Sequence, residues 1–554
     1  MHNHSMSSSE EKPSVPGGEC VPSLSRASIA GAVSSGILGF LSFPIFGRPY
    51  QLDLLIFLML CPLMLAAQGA GKKRGLLLGS LCGMTFVMVS FTWVGHAISE
   101  FTELGTILSL VLYLLWVCYE AVPWAILGLA LGRCRSTLQI LLVLPLWIGL
   151  EHYYPRLWPW HLGGALYDRS WFLQCVDVLG TSGLTALVFL TSATVAGFVR
   201  WRGGGEGFPR WRVAASTGLL LACCVYGPMR LASLQHMEQE READKLTVGF
   251  VQGFLDPTKR RKSGLQTYVA ETRKLLELSP QVNLVLWPEG VDWIPLDLGP
   301  GAEPWRLHPE NAEKTGRFMR DEFKVPMVFG GAGVILAPGD KGALEIDESY
   351  NIAIYLSPGG PGGIYRKNHP VPFGESVPGW DLLPESWRGA FPAIGNLSLG
   401  EDNPQMTLGE STFRNLICYE AVLPEYVRQS ASGSDFLVNI TEDYWYGNTA
   451  HIPQHLSVLI LRAVESRIPV LRCTNVGPSG IVDITGRFLG GGNAWWKADR
   501  FALEFVPGRA ASIYSSWGHW FPLLSLLLGA LLLFSTRGKF PGRPAEKPGS
   551  ACEE

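Results

Sequence analysis

The stretch Phe413-Arg414-Asn415-Leu416-Ile417-Cys418-Tyr419-Glu420 reads as an apolar strand that ends on a thiol and is followed by a carboxylate. Most free cysteines are small buried hydrophobes, and Cys418 alone carries no more than that. Two companions change the reading. Leu284-Val285-Leu286-Trp287-Pro288-Glu289 is an apolar strand that delivers a carboxylate, and Tyr365-Arg366-Lys367 delivers an ammonium. A thiol nucleophile needs a base to take its proton, and its attack on an ester makes an oxyanion that a fixed cation stabilises. Glu289 emerges from an apolar strand and is expected to be partly desolvated, which raises its proton affinity and suits it to the base role. Lys367 is the expected oxyanion partner. The loop His369-Pro370-Val371-Pro372-Phe373-Gly374-Glu375-Ser376-Val377-Pro378 is stiffened by its prolines and holds Glu375 near the site as a second carboxylate. Tyr419 and Glu420 are expected to support the nucleophile.

These residues share one segment, from about 236 to 515, in which short β-rich runs alternate with helical patterns. Strands are expected at 246–251, 282–287, 327–335, 351–356, 413–418, 436–440, 470–474 and 481–484. A helix at 265–278 sets Tyr268, Val269, Thr272 and Leu276 at helical spacing. Another at 453–467 puts Leu456, Leu459, Ile460, Ala463 and Val464 on one face. Mixed strands and helices predict a layered α/β domain. His455 starts that second helix and is expected to hydrogen-bond locally rather than pair with Cys418. Cys473 is expected to be a passive core residue, unbridged to Cys418.

The remainder has a different character. Apolar runs of spanning length recur near 28–46, 50–69, 75–97, 105–132, 137–153, 181–199 and 213–230, and again near 519–535. Lys72-Lys73-Arg74, Arg133, Arg135, Arg200, Arg202, Arg210 and Arg212 fall on one side, as do Arg537, Lys539, Arg543 and Lys547. Positive-inside logic makes that side cytoplasmic and holds both termini there, with the α/β segment extracytoplasmic. Residues 153–162, with Trp158-Pro159-Trp160, read as an interfacial aromatic segment. The loops 357–363 and 377–392 read as mobile, and the second dips Trp380, Leu382, Leu383, Trp387 and Phe391 into the headgroup region. Glu120 and Glu151 lie within or at the ends of spans, where a carboxylate is expensive. A formal net charge of -3 over 554 residues points away from a nucleic-acid partner. The polar start lacks a signal-peptide core before Cys20, so Cys20 is not read as a lipidation site. Of the 11 cysteines only Cys418 and Cys473 lie in the α/β segment, which rules out a multi-bridge framework there. No Cys/His cluster has metal-ligand spacing and no dinucleotide fingerprint is present, so neither metal nor cofactor is expected.

The set Trp287-Pro288-Glu289, Tyr365-Arg366-Lys367, Val371-Pro372-Phe373-Gly374-Glu375 and Cys418-Tyr419-Glu420 resembles the nitrilase superfamily, whose Glu-Lys-Cys triad occurs in this chain order. Together with the spans, it resembles the bacterial apolipoprotein N-acyltransferase family from about residue 25 to 536. Tyr444-Trp445-Tyr446-Gly447, Pro453-Gln454-His455, Arg462-Ala463-Val464-Glu465 and Cys473-Thr474-Asn475 extend the similarity. The resemblance implies a bundle of eight transmembrane helices with an extracytoplasmic nitrilase-like αββα domain. Its divisions are a disordered tail (1–24), a seven-span bundle (25–235), the catalytic domain (236–515), the eighth helix (516–538) and a second tail (539–554). It implies Glu289, Lys367 and Cys418 as catalytic residues, and no cofactor. The implied acyl donor is a membrane phospholipid and the implied acceptor a diacylglyceryl-modified apolipoprotein at the bacterial inner membrane. The alternatives are a membrane-tethered amidase or nitrilase acting on a small soluble substrate, and a scaffold with a decayed catalytic domain. Eight spans argue against a simple tether, and the intact triad with Glu375 argues against decay. Gly290, Ser376, Glu442, Tyr444 and Val476 depart from the family pattern.

Overall fold

Alternation along the strands assigns their side chains to two faces. The strands are β1 (Leu246–Gln252), β2 (Leu284–Leu286), β3 (Asp292–Asp297), β4 (Met327–Pro338), β5 (Leu344–Ser357) and β6 (Gly360–Arg366), then β7 (Met406–Leu408), β8 (Ser411–Ile417), β9 (Phe436–Thr441), β10 (Val470–Thr474), β11 (Gly480–Val482), β12 (Phe488–Gly490) and β13 (Asp499–Phe505). This is a computed structural model, and it describes residues 24–45, 52–101, 104–135, 137–204, 207–256, 264–299, 321–338, 344–376, 384, 397–490 and 495–535. The expected tails at 1–24 and 539–554 and the aromatic loop at 377–392 lie outside the described residues, save for Leu24 and Pro384.

One sheet runs β13-β1-β2-β4-β5-β6, with β3 beside β4, and the other runs β12-β11-β10-β9-β8-β7. In each, a parallel centre is flanked by antiparallel edges: β1, β2 and β4 in the first, β8, β9 and β10 in the second. Val248, Phe250, Leu284 and Leu286 meet Phe413, Phe436, Val438, Ile440 and Leu471 in one core between the sheets. The opposite face of the first sheet packs on Tyr268, Val269 and Leu275 of the helix Gly264–Leu278. The opposite face of the second packs on the helices Pro424–Ala431 and His451–Ser466. Central strands buried on both faces explain the near-continuous apolar runs. The order of layers is helix, sheet, sheet, helix.

Every expected strand is present. The sequence pattern missed β3, β6, β7, β12 and β13, which are edge or polar strands with weaker alternation. One expectation is corrected. Residues 357–363 are not a free loop: β5 and β6 form an antiparallel hairpin there, with Ser357 opposite Gly360 and Leu356 opposite Pro361.

Helices occupy each of the apolar stretches, but they are not uniform spans. Among the described residues, Gly105–Arg133, Thr181–Arg202 and Arg210–Glu240 are long and apolar enough to cross a membrane. Lys72–Ser90 with Thr92–Glu100 makes a fourth if its 58° bend is taken within one span. The others are shorter or broken, as where the 3-10 turn Asp53–Leu58 precedes Leu60–Ala67. Close backbone contact sets the packing of the helices 72–90 and 122–133. A Cβ on Gly75 would lie 2.3 Å from the Gly128 carbonyl oxygen, and one on Gly79 would lie 2.1 Å from that of Trp124. Small residues allow this approach in apolar bundles.

The bundle and the α/β domain meet through buried charge. Arg467 caps the helix His451–Ser466 with φ 50°. Its Nε donates to Asp177 Oδ2 at 2.9 Å, and its Nη1 and Nη2 donate to Gln174 Oε1 at 2.7 Å and to the Gln174 carbonyl at 2.9 Å. Arg230 and Tyr226 complete the shell of Asp177 at 2.9 and 2.8 Å. The Trp158-Pro159-Trp160 segment also belongs to this seam. Trp158 and Trp160 are buried, and Trp158 packs against His451 and His455 of the α/β domain, so the expectation of an interfacial aromatic segment is corrected.

Removing one member of a buried charge pair leaves the other uncompensated. Arg467→Met is therefore expected to destabilise the protein by roughly 3 kcal/mol or more. Asp177→Asn in the same background should add less than it does alone, because the two share one interaction. Thermal unfolding of the detergent-solubilised single and double variants measures both, and additive losses would refute the coupling.

Candidate active site

Glu289 lies just past β2, where Gly290 turns the chain with φ 66°. β4 passes so closely that a Cβ on Gly330 would lie 2.6 Å from Glu289 Cα. The carboxylate is therefore pinned at the C-terminal end of a central strand and buried. Its Oε1 accepts from Asn351 Nδ2 at 2.7 Å and from Lys367 Nζ at 3.3 Å, and its Oε2 accepts from the Glu442 amide at 2.9 Å. Below it, Trp287 donates to Thr272 Oγ1 at 2.9 Å and packs on Tyr268, which fixes the turn.

Lys367 follows β6 and is 2 % exposed. Its Nζ lies 2.8 Å from Glu375 Oε1 and 2.7 Å from Oε2, besides its contact with Glu289. Glu375 is itself held by Asn351 Nδ2 at 3.0 Å and by the Val371 amide at 2.7 Å. Burial works against the ammonium, but Glu289 and Glu375 outweigh it and hold its pKa above the ordinary value. Burial pushes the Glu289 carboxyl up, Lys367 opposes that, and the like charge of Glu375 adds to it.

Cys418 directly follows β8 and begins the turn Cys418–Val422 with φ 50°. A non-glycine residue in that region is strained and persists only where its surroundings over-determine it. Glu420 supplies much of that constraint. Its Oε2 accepts from the Ile417 amide at 2.7 Å. Its Oε1 accepts from the Asn368 and His369 amides at 2.7 and 2.9 Å and from the Tyr365 hydroxyl at 2.6 Å. One carboxylate thus ties the thiol turn to the lysine loop. Burial pushes its own pKa up to about 7. Tyr419 turns the other way and donates to the Leu157 carbonyl of the bundle at 2.6 Å. Burial raises the Cys418 thiol well above its ordinary value, Glu289 raises it further, and Lys367 lowers it. The two charges that the sequence placed beside this thiol act on it electrostatically.

The structure brings together Glu289, Lys367, Glu375 and Cys418, with Glu420 beneath them and Tyr419 at the seam. Cys473 is a free, buried residue of β10, with its Sγ 3.4 Å from the Leu286 carbonyl. Asn351 was missed. It sits in β5 as the polar residue between Tyr350 and Ile352 and bridges both carboxylates, and its polarity in an otherwise apolar run was the available signal. The departure at Glu442 is explained. Its backbone holds Glu289, while its side chain turns to the Tyr444 amide and Asn475 Nδ2 at 3.0 and 3.2 Å. Glu120 is buried and paired with Arg156 Nε at 3.2 Å, and Glu151 accepts from the Leu162 amide at 2.7 Å.

Asp443, His451 and His455 form a buried set whose donor atoms lie within 4.8 Å of one another, a cluster that only the fold assembles. Arg472 Nη2 donates to Asp443 Oδ2 at 2.6 Å and His455 Nδ1 lies 3.0 Å from Oδ1. The guanidinium already balances the carboxylate, and a dication there would add buried positive charge. These donors fit an ion-pair network better than a metal site.

Residues 35–194 match the family described as apolipoprotein N-acyltransferase N-terminal domain, and residues 251–501 match carbon-nitrogen hydrolase. A Geobacter metallireducens protein named apolipoprotein N-acyltransferase is 30% identical over 479 residues, covering 83% of this chain and 86% of its own length. One of the same name from Bdellovibrio bacteriovorus is 26% identical over 509 residues, covering 84% and 86%. Among solved structures, Saccharomyces cerevisiae Nit3, a member of branch 10 of the nitrilase superfamily, is 20% identical with a TM-score of 0.34, covering 48% of this chain and 91% of its own. On the extent of the match to its bacterial relatives, the chain belongs to the apolipoprotein N-acyltransferase family.

Proposed function

We propose that the protein moves an acyl chain from a membrane phospholipid, through a thioester on Cys418, to the α-amino group of a diacylglyceryl-cysteine at a lipoprotein N-terminus. The observation that carries this reading is the convergence of Glu289, Lys367 and Glu375 around a strained thiol in a domain fused to an apolar bundle. Glu289 takes the thiol proton as Sγ attacks the ester carbonyl, and Lys367 stabilises the oxyanion. The lysophospholipid leaves with a proton and the thioester remains. The acceptor amine then attacks, Glu289 takes its proton, and the thiol is released. No cofactor enters either half-reaction.

The topology in this reading has eight spans, at residues 25–235 and 516–538, with the catalytic domain 236–515 outside the cytoplasm and both termini inside, at the bacterial inner membrane. It is supported by helices in every apolar stretch and by the lysine and arginine bias of alternate loops. The lipid bilayer supplies the donor. Tyr419 and Trp158 place the thiol turn against the bundle, so the donor's acyl chains and the thiol meet at one boundary.

Labelled phospholipid incubated with the protein should leave acyl label on Cys418 that mass spectrometry locates. Cys418→Ala should take no label, and Cys418→Ser should be nearly inactive because a hydroxyl is far less acidic than a thiol. Label elsewhere, or turnover by Cys418→Ala, would refute the assignment.

Glu289→Gln keeps shape and loses basicity, and is expected to slow both half-reactions at least the roughly 10²–10⁴-fold typical of a general base. Single-turnover acylation at wild-type rate in this variant would remove Glu289 from the role.

Glu289 must be ionised to act, and its folded pKa lies above the ordinary 4.5. Activity should therefore be lost as pH falls through that raised value, with the acidic limb of the rate profile above 4.5. Glu375→Gln removes a like charge and leaves Lys367 to Glu289, so that limb should move to lower pH. A shift upward would contradict the electrostatic arrangement.

A further inference from the structure

The break between the bundle helices Lys72–Ser90 and Thr92–Phe101 is held by a side chain of the catalytic domain. In an unbroken helix the Val94 amide would meet the Ser90 carbonyl. Here it turns to the Phe91 carbonyl at 3.0 Å, which leaves the Ser90 carbonyl to another donor. Gln454, in the first turn of the helix His451–Ser466, is that donor: its Nε2 meets the carbonyl at 2.9 Å. Its Oε1 accepts from Trp93 Nε1, on the far side of the break, at 2.9 Å. One buried carboxamide thus binds both sides of the 58° bend.

The bent half of the helix lies on the turn that serves Glu289. Trp93 packs edge-on against His451 and Tyr446, with ring centroids 4.6 and 5.5 Å away, and those two rings stack on each other at 3.6 Å. His96 closes on the same turn. A Cβ on Gly447, whose φ is 64°, would lie 2.7 Å from His96 Nε2. The turn Tyr444–Tyr446 follows Glu442 and Asp443, and Glu442 Oε1 accepts from the Tyr444 amide at 3.0 Å. The Glu442 amide in turn donates to Glu289 Oε2 at 2.9 Å. Arg472 of β10 holds Asp443 from the other side, at 2.6 Å.

We propose that Gln454 is a positioning residue for the base: by holding the bend, it keeps Trp93 and His96 on the turn that presents the Glu442 amide to Glu289. This rests on the reading of Glu289 as the base. An amide that donates to a carboxylate favours its ionised form, so displacing the amide raises the pH at which Glu289 takes up a proton. Activity is lost as pH falls through that value, so the acidic limb of the rate profile moves to higher pH. Lys367, Glu375, Cys418 and Tyr446 also face Glu289, with Glu442 and Asp443 on the turn itself, and all six are unchanged in the variants that test this.

The test uses the full-length protein in phospholipid-containing micelles, with acylation of Cys418 followed in single turnover across pH. Gln454→Leu removes both hydrogen bonds at similar volume. Its acylation rate should fall roughly tenfold, with the phospholipid concentration for half-maximal rate unchanged. Its acidic limb should move up by roughly one half to one pH unit, part of what a hydrogen bond to a charged group supplies. Trp93→Phe keeps the ring contacts and removes one donor, so it decides the matter should Gln454→Leu fail to fold. It should move the limb in the same direction by less. The double variant should shift it no further than Gln454→Leu, because both act through one carboxamide. A limb at its wild-type pH in the folded variants overturns the proposal, even where the melting temperature falls, and so does a loss confined to half-saturation. A short-chain soluble ester is offered in parallel. Wild type acylated by that ester but not by phospholipid refutes the membrane donor, and the limb shift is then read on the ester.

Discussion

A buried ammonium cannot stand alone, and the site is organised around that constraint. Lys367 is nearly inaccessible, so the fold must bring it negative charge, and it does so twice, from a loop after β2 and from the proline-stiffened turn after β6. Two carboxylates so close repel each other, and Asn351 answers that by donating to both. The result is a group of charges with one net negative unit, held in low dielectric, next to a thiol. Burial and the like charge of Glu375 make Glu289 easier to protonate than a free carboxylate, and that is what a base needs. The same arrangement makes the thiol reluctant to ionise until its proton has somewhere to go. Proton transfer and attack are thereby tied together.

Much of this was legible in the chain. Apolar strands leading to Glu289 and Cys418, with the ammonium of Tyr365-Arg366-Lys367, pointed to the chemistry because a strand end is where a sheet hands a side chain to a site. The parallel central strands were legible because burial on both faces leaves continuous apolar runs. The edge strands were not, since β3, β12 and β13 alternate weakly and owe their conformation to a neighbour. Residues 357–363 looked like a free loop because glycine and proline dominate there. The hairpin register that fixes them comes from pairing with β5, which no local pattern encodes. Asn351 left only its polarity as a signal, because it acts through its position across a sheet, and the Glu442 amide left none, because it acts through its backbone. The breaks in the membrane helices likewise follow from tertiary contact. Hydropathy sees a run of apolar residues, not the turn at which the run bends.

The seam between bundle and catalytic domain is a continuous apolar contact with directional polar bonds set into it. Arg467, Asp177, Gln174 and Arg230 form one network, Glu465 accepts from Thr181, and Trp93 donates to Gln454. Each bond is directional, so the two parts have one preferred arrangement, and sliding by a helical turn would leave several buried charges unpartnered. Hydrophobic contact alone would tolerate such slippage.

The hydrogen bond from Tyr419 to the Leu157 carbonyl belongs to this seam, and it begins one residue from Cys418. The position of the Cys418 sulfur is therefore gauged directly against the helices, not through the length of the chain segments that join the two parts. A change in the length of those connectors would leave Cys418 in place relative to the bundle. A catalytic domain transplanted onto a foreign bundle, by contrast, would need a carbonyl at the same height to keep its calibration.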